Sequence, residues 1–288
     1  MAIRPDPLDH LRYWDATLNV VFVCEFAYRI VDGRKFTDPS CVNCYAVTYA
    51  AGLHKANDLP WYRGATERKG ERDTWTKPPH LTVLPDGHPD WTAFLGWKFP
   101  NPLLGAGKPG IVWLDSMSDL FHPGHPREVI DRLLRTVAIA PHIIGLILTK
   151  YPEQMVEYFA TKPAWWKKRF ILVFSAGDQR WWDWRWSIMR QLAEDGWIVG
   201  TSIQPMLGPI VLPDAALRLL RWVIAGGEQP PGYREMDPDW ARSLRDQCKN
   251  TNPPIPFFVK QMTRGWRPPV NYLRATAGLA ARRDGYRP

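Results

Sequence analysis

The chain has 288 residues, with 45% hydrophobic and 23% charged residues, which is ordinary for a globular protein with a full core and excludes a disordered or fibrous chain. No apolar run approaches the roughly 18 residues a membrane span needs, and Met1–Asp15 carries no secretory leader pattern, so the expectation is a cytoplasmic protein with no membrane partner. Lys plus Arg exceeds Asp plus Glu by 37 to 29, a net charge of +8 that points to a polyanionic partner, and the four cysteines are too few for a disulfide scaffold.

Apolar, β-rich runs recur along the chain: Leu18–Cys24, a weak one at His80–Pro85, Ile111–Ser116, His142–Lys150, Phe170–Ser175, Trp197–Gln204, Arg221–Gly227 and Ile255–Gln261. Most are continuous rather than alternating, as strands buried on both faces are. Between them lie helix patterns, among them Arg127–Ala140, with Val129, Ile130, Leu133 and Leu134 on one face, and Pro238–Lys249. Strand and helix in alternation predict an α/β fold with a parallel (β/α) barrel, complete or partial, and the strand C-termini as the place for chemistry. Residues 1–262 form the expected barrel, with a polar, Pro- and Trp-rich insertion at about 54–109. From Met262 to Pro288 six arginines face a single acid, Asp284, so 263–288 reads as a basic extension: a solvated tail or a phosphate-contacting arm.

The strongest local signal is Cys41-Val42-Asn43-Cys44, preceded by Cys24 at the end of the first strand. A C-x-x-C pair sets two thiolates on one turn, and a third cysteine across sixteen residues completes a three-thiolate set. Zinc wants a fourth protein ligand, and the remaining candidates are Cys248 on a late helix and His54. Spacing alone leaves an iron–sulfur cluster, zinc and a reduced, unliganded pair all open. The residues between the cysteines, with Glu25, Tyr28, Arg29, Arg34 and Lys35, read as a substrate loop or an elaboration. His122 and His125 offer proton transfer or loop capping. Trp181, Trp182, Trp184 and Trp186 lie on a helix with Arg180 and Arg185; positions 182, 186 and 189 share a core face, and the rest offers a stacking surface for a base.

Several blocks taken together resemble the phage Gp37/Gp68 family of radical SAM-like proteins over most of the chain. They are Trp14-Asp15-Ala16-Thr17-Leu18-Asn19 before Cys24, Cys41-Val42-Asn43-Cys44-Tyr45-Ala46, and Ser116-Met117-Ser118-Asp119-Leu120-Phe121-His122. Further on come Leu148-Thr149-Lys150-Tyr151-Pro152-Glu153, Gln204-Pro205-Met206-Leu207-Gly208-Pro209, Trp222-Val223-Ile224-Ala225-Gly226-Gly227-Glu228 and the segment from Pro238 to Cys248 with Phe257-Phe258-Val259-Lys260-Gln261. The block order is also similar to the spore photoproduct lyase branch. The resemblance implies a radical SAM barrel in which Cys24, Cys41 and Cys44 hold a 4Fe-4S cluster and S-adenosylmethionine is cleaved to a 5′-deoxyadenosyl radical. It implies a flavodoxin or ferredoxin as electron donor, and a cofactor pocket lined by Ser116, Ser118, Asp119, Lys150, Ser175 and Glu228. The cysteine spacing departs from the usual C-x3-C-x2-C, and Gly226-Gly227-Glu228 falls on the seventh strand rather than the second. With the basic charge and the tryptophans, the expected substrate is a base in DNA, a pyrimidine hypermodified in phage DNA. A peptide or metabolite substrate, or a non-enzymatic metal-stabilised module, is the alternative.

Overall fold

A computed structural model of the chain describes residues 13–22, 24–57, 65–69, 72–76, 80–81, 93–99, 102–229 and 232–263. The chain forms two compact units, Met1–Tyr151 with Pro230–Gly232, and Pro152–Gln229 with Tyr233–Pro288.

The first unit begins with β1 (Ala16–Leu18) and β2 (Val21–Phe22), then a hairpin of β3 (Tyr28–Val31) and β4 (Arg34–Thr37). Helix α1 (Tyr45–Asn57) follows, then a second hairpin of β5 (Thr66–Lys69) and β6 (Arg72–Trp75), and β7 (His80–Leu81). The unit continues with β8 (Gly110–Leu114), α2 (Arg127–Ile139) and β9 (Ile143–Thr149). β1, β8 and β9 pair in parallel, Leu18 beside Leu114 and Leu114 beside Ile147. All five residues of β8 are buried, and α2 turns Ile130, Leu133, Leu134 and Val137 inward, the face its sequence pattern predicts. The second unit contains α3 (Pro152–Phe159), β10 (Phe170–Ser175), α4 (Gln179–Glu194), β11 (Ile198–Ile203), α5 (Asp214–Leu219), β12 (Trp222–Ala225), α6 (Pro238–Lys249) and β13 (Phe257–Val259). Its four strands also pair in parallel, and Phe170–Ser175 is buried at every position.

Within each unit the parallel strands follow one another in chain order, three in the first and four in the second among the described residues, so the fold is the parallel α/β architecture read from the sequence. Two differences have simple causes. The expected strand Leu18–Cys24 breaks at Asn19, because the backbone of Val20 and Val21 turns to donate to the Asp115 carboxylate. The weak run at His80 pairs antiparallel with β2 and takes no place in the parallel sheet, so Gly226-Gly227-Glu228 follows the sixth parallel strand and not the seventh. Residues 58–64, 70–71, 77–79, 82–92 and 100–101 of the 54–109 insertion and all of 264–288, including the arginine-rich tail, lie outside the described residues.

Candidate functional site

In parallel sheets the residues just past the strand C-termini converge, which is where this chain concentrates its polar side chains. Directly after β8, Asp115 has a left-handed backbone, φ 60°, uncommon for any residue but glycine and best tolerated by Asp and Asn. Its amide donates to Leu18 O at 2.9 Å, and its Oδ1 accepts the amides of Val20 and Val21 at 2.8 and 2.9 Å. Oδ2 has no hydrogen-bond partner among the described residues. Burial pushes this carboxyl up to about 7, against the pull of the two amides.

Asp119 braces β8 to β9. Its Oδ1 accepts the Phe121 amide at 3.0 Å and the Thr149 hydroxyl at 2.7 Å, and its Oδ2 accepts the Lys150 amide at 2.7 Å. Burial raises its pKa and these donors oppose the rise. Asp119 therefore fixes the start of the segment from which Lys150 reaches out. The Lys150 Nζ donates to the Sγ of Cys41 at 3.2 Å. Beside them Ser116 and Ser118 are half-buried; the Ser116 hydroxyl donates to Asn19 Oδ1 at 3.2 Å, and its carbonyl accepts the Tyr45 hydroxyl.

The cysteines meet this charge from the other side. Cys24 lies in the loop after β2, and its thiol donates to the Glu25 carbonyl at 3.2 Å. Cys41 is buried and closes a short 3-10 helix, Pro39–Cys41, whose cap is the Asp38 carboxylate accepting the Ser40 amide at 2.7 Å. Cys44 immediately precedes α1 and packs with Tyr45 on a small core of Ala46, Ala50, Ala65 and Met117. Burial raises the Cys24 thiol well above its ordinary value; Asp119, Cys41 and Cys44 raise it further, while Lys150 pulls it back. For Cys41 burial is again the main cause; Lys150 lowers the pKa, and Asp38 and Cys44 raise it. The three sulfurs thus share one electrostatic neighbourhood with one lysine.

Among the described residues no group of three His, Cys, Asp or Glu side chains is already drawn together closely enough to hold a metal ion. The donor set nevertheless fits a thiolate-bound centre in its chemistry. The desolvated thiols of Cys24 and Cys41, each further opposed in its ionisation by the neighbouring Cys44, are relieved by a cationic centre, and soft sulfur donors select iron–sulfur clusters or zinc.

His122 and His125 follow Asp119. His122 Nδ1 accepts the Gly124 amide at 3.0 Å, which places its proton on Nε2, 3.6 Å from Glu25 Oε2. His125 Nε2 donates to Asp119 O at 3.0 Å, and burial pushes its pKa down to about 4. Tyr151 sets its ring edge-on to His122 at 5.1 Å; its hydroxyl has no partner among the described residues. Burial raises the tyrosine pKa, and Asp119, Cys24 and Cys41 add to the rise.

The remaining candidates belong to the second unit. Ser175 ends β10, buried, and its carbonyl accepts from the Arg185 guanidinium. Glu228 is buried and its carboxylate is clasped by Arg234, whose amide donates to Oε2 at 2.7 Å and Nε to Oε1 at 3.1 Å. Gly227 is glycine of necessity, since a Cβ there would stand 2.5 Å from the Thr263 amide nitrogen. Trp182 and Trp186 are buried as their spacing predicts, Trp181 is buried as well and is lost as a stacking surface, and Trp184 is half-buried; the buried Arg185 guanidinium lies 4.7 Å from the Trp181 ring centroid. Cys248 is a buried helix thiol, pushed up to about 12 by burial.

Asp115, Tyr151 and Asn43 join the site without belonging to any sequence motif that marks them for a role. Asn43, between the two cysteines of the pair, donates from Nδ2 to Gly232 O at 2.8 Å. The one signal in the sequence is at Asp115, an acid placed directly after a fully apolar strand.

Over residues 19–282 the sequence matches the family DUF5131, described as a protein of unknown function. The match is to DUF5131, and the phage Gp37/Gp68 resemblance stays a resemblance of blocks. No curated protein matches the chain. Among solved structures, a spore photoproduct lyase mutant with bound AdoMet and dinucleoside spore photoproduct is similar at 11% identity and a TM-score of 0.45, over 83% of this chain and 62% of that one. Spore photoproduct lyase complexed with dinucleoside spore photoproduct is similar at 11% identity and 0.44, over 85% of this chain and 65% of that one. The chain thus spans less than two thirds of the length of either structure.

Proposed function

This chain belongs to the DUF5131 family, and from its cysteine site we propose that it is a radical S-adenosylmethionine enzyme acting on a base in DNA. The observation that carries the reading is Lys150, just past β9, donating to the Cys41 Sγ at 3.2 Å, with Cys41 and Cys44 near enough to Cys24 to raise its pKa. In this reading Cys24, Cys41 and Cys44 hold a 4Fe-4S cluster. Such a cluster supplies single-electron reductive cleavage of S-adenosylmethionine, with a flavodoxin or ferredoxin as its reductant.

The protein's own residues do the rest. Lys150 offers the cation for the carboxylate of S-adenosylmethionine, and Asp119 holds its backbone at 2.7 Å so that the ammonium is aimed toward the sulfurs. Ser116 and Ser118 supply hydroxyls at the same strand end. His122 keeps its proton on Nε2, facing Glu25. Glu228, engaged by Arg234, acts as a loop clasp. Support for DNA comes from the net charge of +8 and the six arginines after Thr263.

Anaerobic reconstitution with iron and sulfide tests the site. The wild-type chain should take up about four irons with broad visible absorption. Cys24→Ala, Cys41→Ala and Cys44→Ala should each lose that iron, whereas Cys248→Ala keeps it. Full iron in Cys41→Ala, or tight zinc with no iron uptake by the wild type, overturns the proposal.

A further inference from the structure

The sixteen residues that separate Cys24 from Cys41 are a built element and not slack chain. Asp32 and Gly33 both have left-handed backbones, φ 50° and 73°, the two-residue turn that suits the twist of a tight hairpin. Tyr28 pairs with Thr37, Arg29 with Phe36, Ile30 with Lys35 and Val31 with Arg34. The base is closed by the Asp38 amide donating to Ala27 O at 2.7 Å, both residues being buried. The hairpin therefore stands with one foot near each of two cluster cysteines.

Its far end is unusual for a water-facing element. Ile30 is 67% exposed and Val31 37%, two branched apolar side chains on either side of the strand beside the turn. Two-stranded hairpins bury too little to hold themselves in water, and an uncovered apolar tip weakens them further. Around the tip the hairpin carries Arg29, Arg34 and Lys35 against one acid, Asp32. Because pairing places alternate residues on opposite faces, Lys35 shares a face with Ile30 and Tyr28, and Arg34 shares the other with Val31, Phe36 and Arg29. Lys35 Nζ lies 3.9 Å above the Tyr28 ring, so this cation is held along the strand. Each face thus joins an apolar side chain to a cation.

That combination fits one occupant by charge and shape. Phosphates attract the cations, and branched apolar side chains inserted between base pairs unstack a step of the duplex. Chemistry on a base inside a protein site also requires the base to leave the stack. We propose that the Tyr28–Thr37 hairpin is a wedge for double-stranded DNA: Ile30 and Val31 enter a base step while Arg34 and Lys35 contact the flanking phosphates. This rests on the reading of the protein as a DNA-base enzyme and assigns its entry element.

The test uses the full chain as purified and a duplex with 2-aminopurine at one step, whose fluorescence rises when the base unstacks. The wild type should raise the signal on binding. Ile30→Ser with Val31→Ser should still bind but lose most of the rise, circular dichroism confirming the fold. Arg34→Ala with Lys35→Ala should lower the slope of log affinity against log salt by about two. No binding to duplex, preference for single strands with no effect of the tip substitutions, or an undiminished rise in the tip variant overturns the wedge. The two readings fail separately. A protein that cleaves S-adenosylmethionine and binds only single-stranded DNA loses the wedge alone, and one that opens duplex DNA without cleaving S-adenosylmethionine loses the radical chemistry alone.

Discussion

The two units handle buried charge in opposite ways. In the second, Glu228 is enclosed but held by the Arg234 guanidinium and amide, and the charge is balanced where it sits. In the first, Asp115, Asp119, Cys24 and Cys41 are gathered near the ends of β1, β8 and β9 with their ionisation shifted by burial and by one another. Asp115 adds a left-handed backbone and a carboxylate oxygen without a hydrogen-bond partner among the described residues. A fold tolerates such an unbalanced group where function requires it, since strain and unmatched charge lower stability.

The largest effect expected from breaking this contrast is in the second unit. Arg234→Ala removes the guanidinium from the buried Glu228 and leaves the backbone amide as a donor to Oε2, which should cost about 2 to 4 kcal/mol in chemical denaturation. Iron uptake should be preserved in the protein that remains folded. A loss of stability below about 0.5 kcal/mol would mean that Glu228 is not balanced by Arg234 as described, that being the range of an unimportant surface change.

In the first unit removing a charge should help. The folded Asp115 carboxyl titrates at about 7, above its ordinary 3.8, so the folded state holds a proton that the unfolded chain has released between those values. Its contribution is full below about pH 4 and is lost as the pH rises through about 7. Asp115→Asn keeps an oxygen for the Val20 and Val21 amides, tolerates the left-handed backbone and never ionises. Measured against the wild type, the variant should gain about 2 to 3 kcal/mol in stability between pH 5 and pH 8, and be the more stable at pH 8. A variant less stable than wild type at pH 8 would show that the ionised carboxylate is favoured in the fold.

How far the sequence reveals this depends on the range of the interaction. Continuous apolar runs such as Phe170–Ser175 and the one-sided pattern of Arg127–Ile139 become the strand and helix they resemble, because burial on two faces or one dictates those patterns. The alliance of Cys24 with Cys41 and Cys44 is visible as residue types and spacing. Their link to Lys150 is not, since it depends on β9 lying beside β8 and on Asp119 bridging them. Helix α1, placed directly after Cys44, is hidden in the sequence because Tyr45–Asn57 has little amphipathic contrast. The hairpin has a local signal, Asp32-Gly33 between two short β-prone runs, but a turn by itself does not separate a paired hairpin from a looping insertion. The buried state of Trp181 cannot be read from its spacing, because it depends on Arg185 folding back to Ser175 O.

The central claim is that the first unit's thiols and Lys150 form a radical S-adenosylmethionine site. Its most direct test is to reduce the reconstituted protein with dithionite in the presence of S-adenosylmethionine and measure the products by chromatography. The wild type should yield 5′-deoxyadenosine and methionine, and Cys41→Ala neither above background. Intact S-adenosylmethionine after reduction of a wild-type protein carrying its full complement of iron would contradict it.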